Sequence, residues 1–274
     1  MNGDIHNRKG RIKSTTTKIK EADHISDYNR EILLDFKSYL ISQDLSDDRL
    51  CRYLYNWYQL TELVNWNLDE TSKEGIQVIV EKINKGDFRE DLSPHTKAEY
   101  KKAIRKLFTD YFASKSHKYQ PIGQGYDGEE LCDFFSLTVD DENLDREELP
   151  TPELAKRFVR EANSLRDKAF IMTLWSSAGR IGEVLGLQWK HIRFDTRKGE
   201  EIVKLKFEDQ KIGGNRKVPL RAGYLYLKQL QESDPRGDDP DAFVFRSTTT
   251  DRQMSHNAGC GILNRIRDRI DRKA

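Results

Sequence analysis

Between residues 27 and 111 apolar side chains recur at helical spacing, and their stripes predict four helices. Asp27 to Gln43 places Ile32, Leu33, Phe36, Tyr39 and Leu40 on one face. Ser46 is suited to cap a second helix carrying Leu50, Leu54, Trp57, Tyr58 and Leu60. Thr71-Ser72-Lys73-Glu74 reads as a capping box opening a third, with Ile76, Val78, Ile79 and Ile83 inside it. Ser93-Pro94 is a cap followed by proline at the first helical position, and a fourth helix runs from there to about Ser114. Its apolar stripe is Tyr100, Ile104, Leu107, Phe108 and Tyr111.

Periodicity then stops. Residues 115–148 hold Pro121, Gly123, Gly125 and Gly128 and read as a linker. Thr151-Pro152-Glu153 opens another helix through Leu154 and Phe158. Arg166 to Ala178 is apolar nearly all round, which predicts a buried helix. Ile202, Val203, Leu205 and Phe207 read as a strand, and Val218-Pro219-Leu220 ends a second. Gly213-Gly214-Asn215 between them makes a hairpin. Ala222–Gln231 and Ser255–Arg272 return to helix. The fold class is therefore mainly α with a small β-hairpin or sheet. Residues 1–22 are expected to be a basic disordered arm, 23–118 a helical domain, 119–148 an acidic linker and 149–274 a second domain.

Charge changes the picture through its distribution, since the formal net charge is only +1. Residues 1–20 hold six bases and one acid, whereas residues 127–148 hold ten acids and Arg146 alone. Such blocks usually mark tails and linkers. Cys51, Cys132 and Cys260 lie far apart and form no metal-binding pair, so no disulfide framework, metal or cofactor is expected. No apolar run approaches the ~20 residues that span a bilayer, and no signal core follows the basic start. The expected location is cytoplasmic and away from membranes.

Two places carry candidate chemistry. On the fourth helix Lys97, Lys101, Lys102, Arg105 and Lys106 spread from the flank of the apolar stripe to its far side. They suit a phosphate backbone, although an ordinary solvated helix face reads the same way. Gly179-Arg180-Ile181-Gly182-Glu183 directly follows the buried helix, and Gly179 is expected to permit a tight bend before Arg180. A guanidinium held there is able to grip two phosphate oxygens. Taken alone, a helix-capping arginine paired with Glu183 is the commoner use of such a residue.

The wider context resembles the tyrosine recombinase, or phage integrase, family. Ser177-Ala178-Gly179-Arg180-Ile181-Gly182-Glu183-Val184-Leu185, then Leu187-Gln188-Trp189-Lys190-His191-Ile192, is similar to the first-arginine box T-G-x-R-x-x-E-L followed by L-x-W-x-D-I. Ala178 replaces the common Thr and His191 the common Asp. Lys211-Ile212-Gly213-Gly214-Asn215-Arg216-Lys217-Val218-Pro219-Leu220 resembles the hairpin G-K-G-x-K-x-R-x-V-P-L. There the catalytic lysine lies eight residues before the proline, the position of Lys211; Lys217 is the weaker alternative. Ser93-Pro94-His95-Thr96 and Thr151-Pro152-Glu153 match the family's domain openings.

The resemblance implies a four-helix, SAM-like core-binding domain followed by part of an α+β catalytic domain. It implies Arg180 and Lys211 as catalytic residues with Glu183 supporting, and Lys97, Lys101, Lys102, Arg105, Lys106 and Arg216 as DNA contacts. In the family a tyrosine hydroxyl attacks a phosphodiester to give a 3′-phosphotyrosine. The family's H-x-x-R box and nucleophile have no match: no histidine here is followed by arginine three residues on, and the last tyrosine is Tyr226. The expectation is a C-terminally truncated or split recombinase without a nucleophile of its own. Its expected partners are double-stranded DNA held by both domains, other protomers and a separate C-terminal fragment. The alternatives are a non-catalytic DNA-binding remnant occupying recombination sites and an unrelated two-domain helical protein.

Overall fold

A computed structural model describes residues 6–114, 127–139, 149–208 and 215–272. Helices dominate, with one three-stranded antiparallel sheet. The chain divides into two compact units, one of residues 7–143 and the other built on residues 144–274.

In the first unit α1 (Arg8–Glu21), α2 (Asp27–Ser42), α3 (Asp47–Leu60), α4 (Lys73–Lys85) and α5 (Pro94–Arg105) enclose one apolar core. The predicted cap residues Ser46 and Ser93 each accept a hydrogen bond from the backbone N–H three residues on. The cap of α4 is Ser72, one residue later than the box predicts. Thr71 is drawn into the interior instead, between the Trp66 indole N–H and the Leu68 carbonyl. Trp57 is fully buried, and its Nε1 donates to the Ala103 carbonyl at 2.9 Å, tying α3 to α5. Asn29 is the buried polar counterpart. It donates to the Trp66 carbonyl and accepts from the Leu68 N–H, so its amide is satisfied inside the core.

The basic arm is not disordered over residues 8–21: it is α1. Its inward stripe is Ile12, Thr15 and Ile19, narrow and partly polar, which hid it from periodicity. The Arg30 guanidinium donates to the carbonyls of Ile19, Ala22 and Ile25 and holds the end of this helix on α2. The linker is corrected too. Residues 127–139 include α6 (Gly128–Cys132), and Cys132 and Phe135 are buried in the first unit's core. Gly128 makes this possible, because a Cβ there would stand 2.3 Å from the Phe108 carbonyl oxygen. That carbonyl belongs to a π-helical stretch, Lys106–Tyr111, which continues α5.

In the second unit α7 (Pro152–Glu161), capped by Thr151, packs with α8 (Leu165–Ser177). Short α9 (Ile181–Leu185) leads to a sheet of β1 (Ile192–Arg197), β2 (Glu200–Glu208) and β3 (Asn215–Leu220), in that spatial order. β1 extends the expected hairpin by a third strand; its charged residues mask the alternation of Ile192 and Phe194. Register places Val203 opposite Leu220 at one end and Phe207 opposite Arg216 at the other. The inner face of Val203, Leu205 and Phe207 meets Phe170, Val184 and Leu185, and α10 (Tyr224–Ser233) and α11 (His256–Asp271) complete the core.

Candidate active site

The chain leaves α8 through a bend that the expected glycine does not make. Ala178 takes the left-handed conformation, at φ 46°, a costly place for any residue with a Cβ. Ser177 braces the bend: its hydroxyl donates to the Thr173 carbonyl and accepts from the Gly179 N–H. Gly179 is needed for space. A Cβ there would lie 2.9 Å from the Ser177 hydroxyl and 3.2 Å from the Phe207 ring. The arginine that follows is thus seated against the hairpin end of the sheet.

Arg180 precedes the first turn of α9, and Glu183 lies in that turn. One Glu183 carboxylate oxygen accepts the Arg180 backbone N–H at 2.8 Å, and the other accepts Arg180 Nη1 at 3.2 Å. From β3, Arg216 Nη2 reaches the same carboxylate at 3.1 Å while its guanidinium lies 5.0 Å over the Phe207 ring. Glu183 is 16% exposed and Arg180 74% exposed. One half-buried anion therefore anchors two guanidiniums, and most of the Arg180 fork faces outward. Such a pair supplies planar donors to the nonbridging oxygens of a phosphate.

His191 stands where the family pattern has an acid, and its Nδ1 accepts the Gln188 backbone N–H at 3.1 Å. The turn it closes is clamped to the segment between α10 and α11, since Trp189 N–H donates to the Ala242 carbonyl and Val244 N–H to the Leu187 carbonyl. Lys211 and the Gly213-Gly214-Asn215 turn lie outside the described residues, Asn215 excepted for its backbone, so the distance from Lys211 to Arg180 is not part of this geometry.

The comparisons with known proteins fall on this same region. The profile of the phage integrase family matches residues 144–273. This part of the chain belongs to the phage integrase family. No curated protein matches the sequence. A solved crystal structure of the XerA recombinase is similar at 18% identity and a TM-score of 0.33, covering 88% of this chain and 75% of that one.

The integrase domain thus contains Arg180, Glu183 and Arg216 in one cluster. The basic row of α5, in the other unit, is a different case. Lys97 Nζ donates to the Asn84 carbonyl, and Lys102 pairs with Glu99. Lys106 pairs with Asp110 one turn along. Arg105 turns inward and donates to the carbonyls of Cys132 and Phe135 at 3.0 and 3.1 Å. Lys101 has no ion partner among the described residues; burial and the nearby Lys97 ammonium lower its pKa. Sequence reasoning missed Phe207 as the platform under Arg216, and only its place opposite Arg216 in the hairpin pattern pointed to it.

Proposed function

We propose that this chain takes part in site-specific DNA recombination, breaking and rejoining strands through a 3′-phosphotyrosine. The unit of residues 7–143 serves as the DNA-binding domain and residues 144–274 as the catalytic domain. The observation that carries this is the convergence of Arg180 and Arg216 on Glu183 within an integrase-family segment. In this reading Arg180 binds the scissile phosphate and, as the tyrosine oxygen attacks, stabilises the extra negative charge on phosphorus. Lys211 gives a proton to the leaving 5′-oxygen, which would otherwise depart as an alkoxide. Glu183 positions Arg180 and does not touch DNA. Lys101 on α5 and exposed Lys13 and Lys20 on α1 add contacts to the phosphate backbone.

The last tyrosine among residues 1–274 is Tyr226, in the helix that follows the hairpin. The proposed chemistry therefore takes its hydroxyl from outside these residues, and residues 1–274 alone bind DNA without cutting it. The test has two parts. Labelled duplex is titrated at several salt concentrations, and affinity is expected to fall steeply as salt rises because phosphate contacts release counterions. A nicked duplex carrying the attachment site is then assayed for a denaturation-resistant adduct. None is expected from residues 1–274, and one is expected once a downstream H-x-x-R…Tyr segment is supplied. Salt-independent or absent binding overturns the reading. An adduct from residues 1–274 alone overturns the assignment of the nucleophile. Binding without an adduct, even after the segment is supplied, selects the non-catalytic DNA-binding alternative.

A further inference from the structure

The sheet has a second end, and it is built differently from the one that carries Arg180. At the β1–β2 turn a cavity of about 710 Å³ is lined by Trp175 and Ser176 from α8, by Arg197 and Lys198, and by Ile202 and Arg221. Along β2 the cavity's Ile202 stands five residues from Phe207, about 17 Å at the usual strand rise. Ile202 is buried and supplies an apolar floor, while Arg197, Lys198 and Arg221 are exposed at the mouth. Among the described residues one carboxylate answers these three cations, Glu200, which Arg221 Nη2 contacts at 2.7 Å.

Two further facts bear on what the cavity holds. Lys198 and Gly199 both have positive φ, 53° and 81°, as a two-residue type I′ turn requires. Asparagine, aspartate or glycine suits the first of these positions, and a lysine there places a cation at the mouth at a cost in backbone strain. Register also sets Arg193 opposite Lys204 and Lys206 opposite Lys217 on the outer face of the sheet. Like charges directly opposite destabilise a sheet. Asp195 relieves Lys204, and Lys204 holds the Asp195 carboxyl below its ordinary pKa. Lys206 and Lys217 have no such partner among the described residues.

We infer that this cavity is a second, non-catalytic site for a phosphate-bearing ligand. Its phosphate meets Arg197, Lys198 and Arg221, and its base or sugar lies against Trp175. The ligand is either a free nucleotide or a nucleotide unit of a nucleic-acid strand, which present the same chemistry. The inference does not depend on recombination, since the cavity shares no residue with the Arg180 cluster.

The experiment uses residues 1–274 at physiological salt with two probes, adenosine monophosphate and a short single-stranded oligonucleotide, followed by tryptophan fluorescence. Saturable quenching is expected, and Trp175→Phe removes it. Arg197→Gln/Arg221→Gln weakens binding by roughly tenfold or more, the size expected for losing charged hydrogen bonds. Arg180→Gln leaves it within about twofold, because sites this far apart act independently. Lys198→Asn guards against misfolding. Asparagine suits the turn, so thermal stability is kept or raised while affinity falls. Binding of the monophosphate identifies a nucleotide site, and binding of the oligonucleotide alone identifies a strand path. Unchanged affinity for both probes in Arg197→Gln/Arg221→Gln overturns the inference, as does a loss matched by Arg180→Gln.

Discussion

The two units use arginine and lysine in opposite ways. In the first, the five cations of α5 look in sequence like a ready phosphate-binding row, yet four of them are engaged by the unit's own carbonyls and carboxylates. In the integrase domain a single half-buried carboxylate serves two guanidiniums, and Arg180 stays largely exposed. A row of bases along a helix describes composition. Whether the charge is offered to a ligand depends on which acids and carbonyls the fold brings beside it, and those neighbours are mostly distant in sequence.

The largest test of that contrast sets Arg180→Ala against Lys102→Ala. In the adduct assay with a downstream segment supplied, Arg180→Ala is expected to slow formation by about 10²–10³, the usual cost of one transition-state donor. Lys102→Ala is expected to leave the rate unchanged. Equal losses would mean that α5 is as exposed to the reaction as the integrase domain.

Next in size is Arg105→Met. Two backbone carbonyls lose a charged donor, and a cost of about 2–3 kcal/mol is expected in urea unfolding. DNA affinity of the folded fraction should stay within about twofold, since the residue points inward. Loss of DNA affinity with stability intact would return Arg105 to the DNA-facing set.

Gly128→Ala should cost about 1–3 kcal/mol, because the new methyl overlaps the Phe108 carbonyl and α6 has to move. The same unfolding transition reads it; an unchanged midpoint would show that α6 is not seated on α5. The smallest effect is chemical. Burial pushes the Cys132 thiol up to about 12 and raises Cys51 as well, so both hold little thiolate near neutral pH. Cys260 is only part-buried. Iodoacetamide followed by peptide mass spectrometry should label Cys260 first in the native protein, and early labelling of Cys132 would break the contrast between the two interiors.

What was legible from sequence was local. The caps at Ser46, Ser93 and Thr151 hold because a hydroxyl and the N–H three residues on are all they require. The Arg180–Glu183 contact is legible for the same reason, being three residues apart at a helix start. Its resemblance to the family box is what makes it a candidate site and not merely a cap. What sequence concealed was set by partners far along the chain. α1 is held by Arg30, α6 by the opening it finds against Phe108, and Arg105 by carbonyls 27 and 30 residues away. The bend before Arg180 lies at Ala178, one residue ahead of the glycine that the sequence suggests, because Gly179 answers a steric need and not a conformational one.

The π-helical stretch in α5 carries one consequence for how this chain tolerates change in length. Phe112 N–H bonds the Leu107 carbonyl, five residues back, where an ordinary helix reaches four. The helix thus holds one residue more than its hydrogen bonds need. Deleting a residue between Leu107 and Asp110 would leave a regular helix, so the backbone has a spare tooth there. The side chains do not. Residues beyond the wide turn would keep their facing, because that turn already absorbs the extra residue, but a deletion that removed buried Phe108 would take its ring away from Trp57. The frame of the helix is forgiving at this point, and the lock it presents to the core is not.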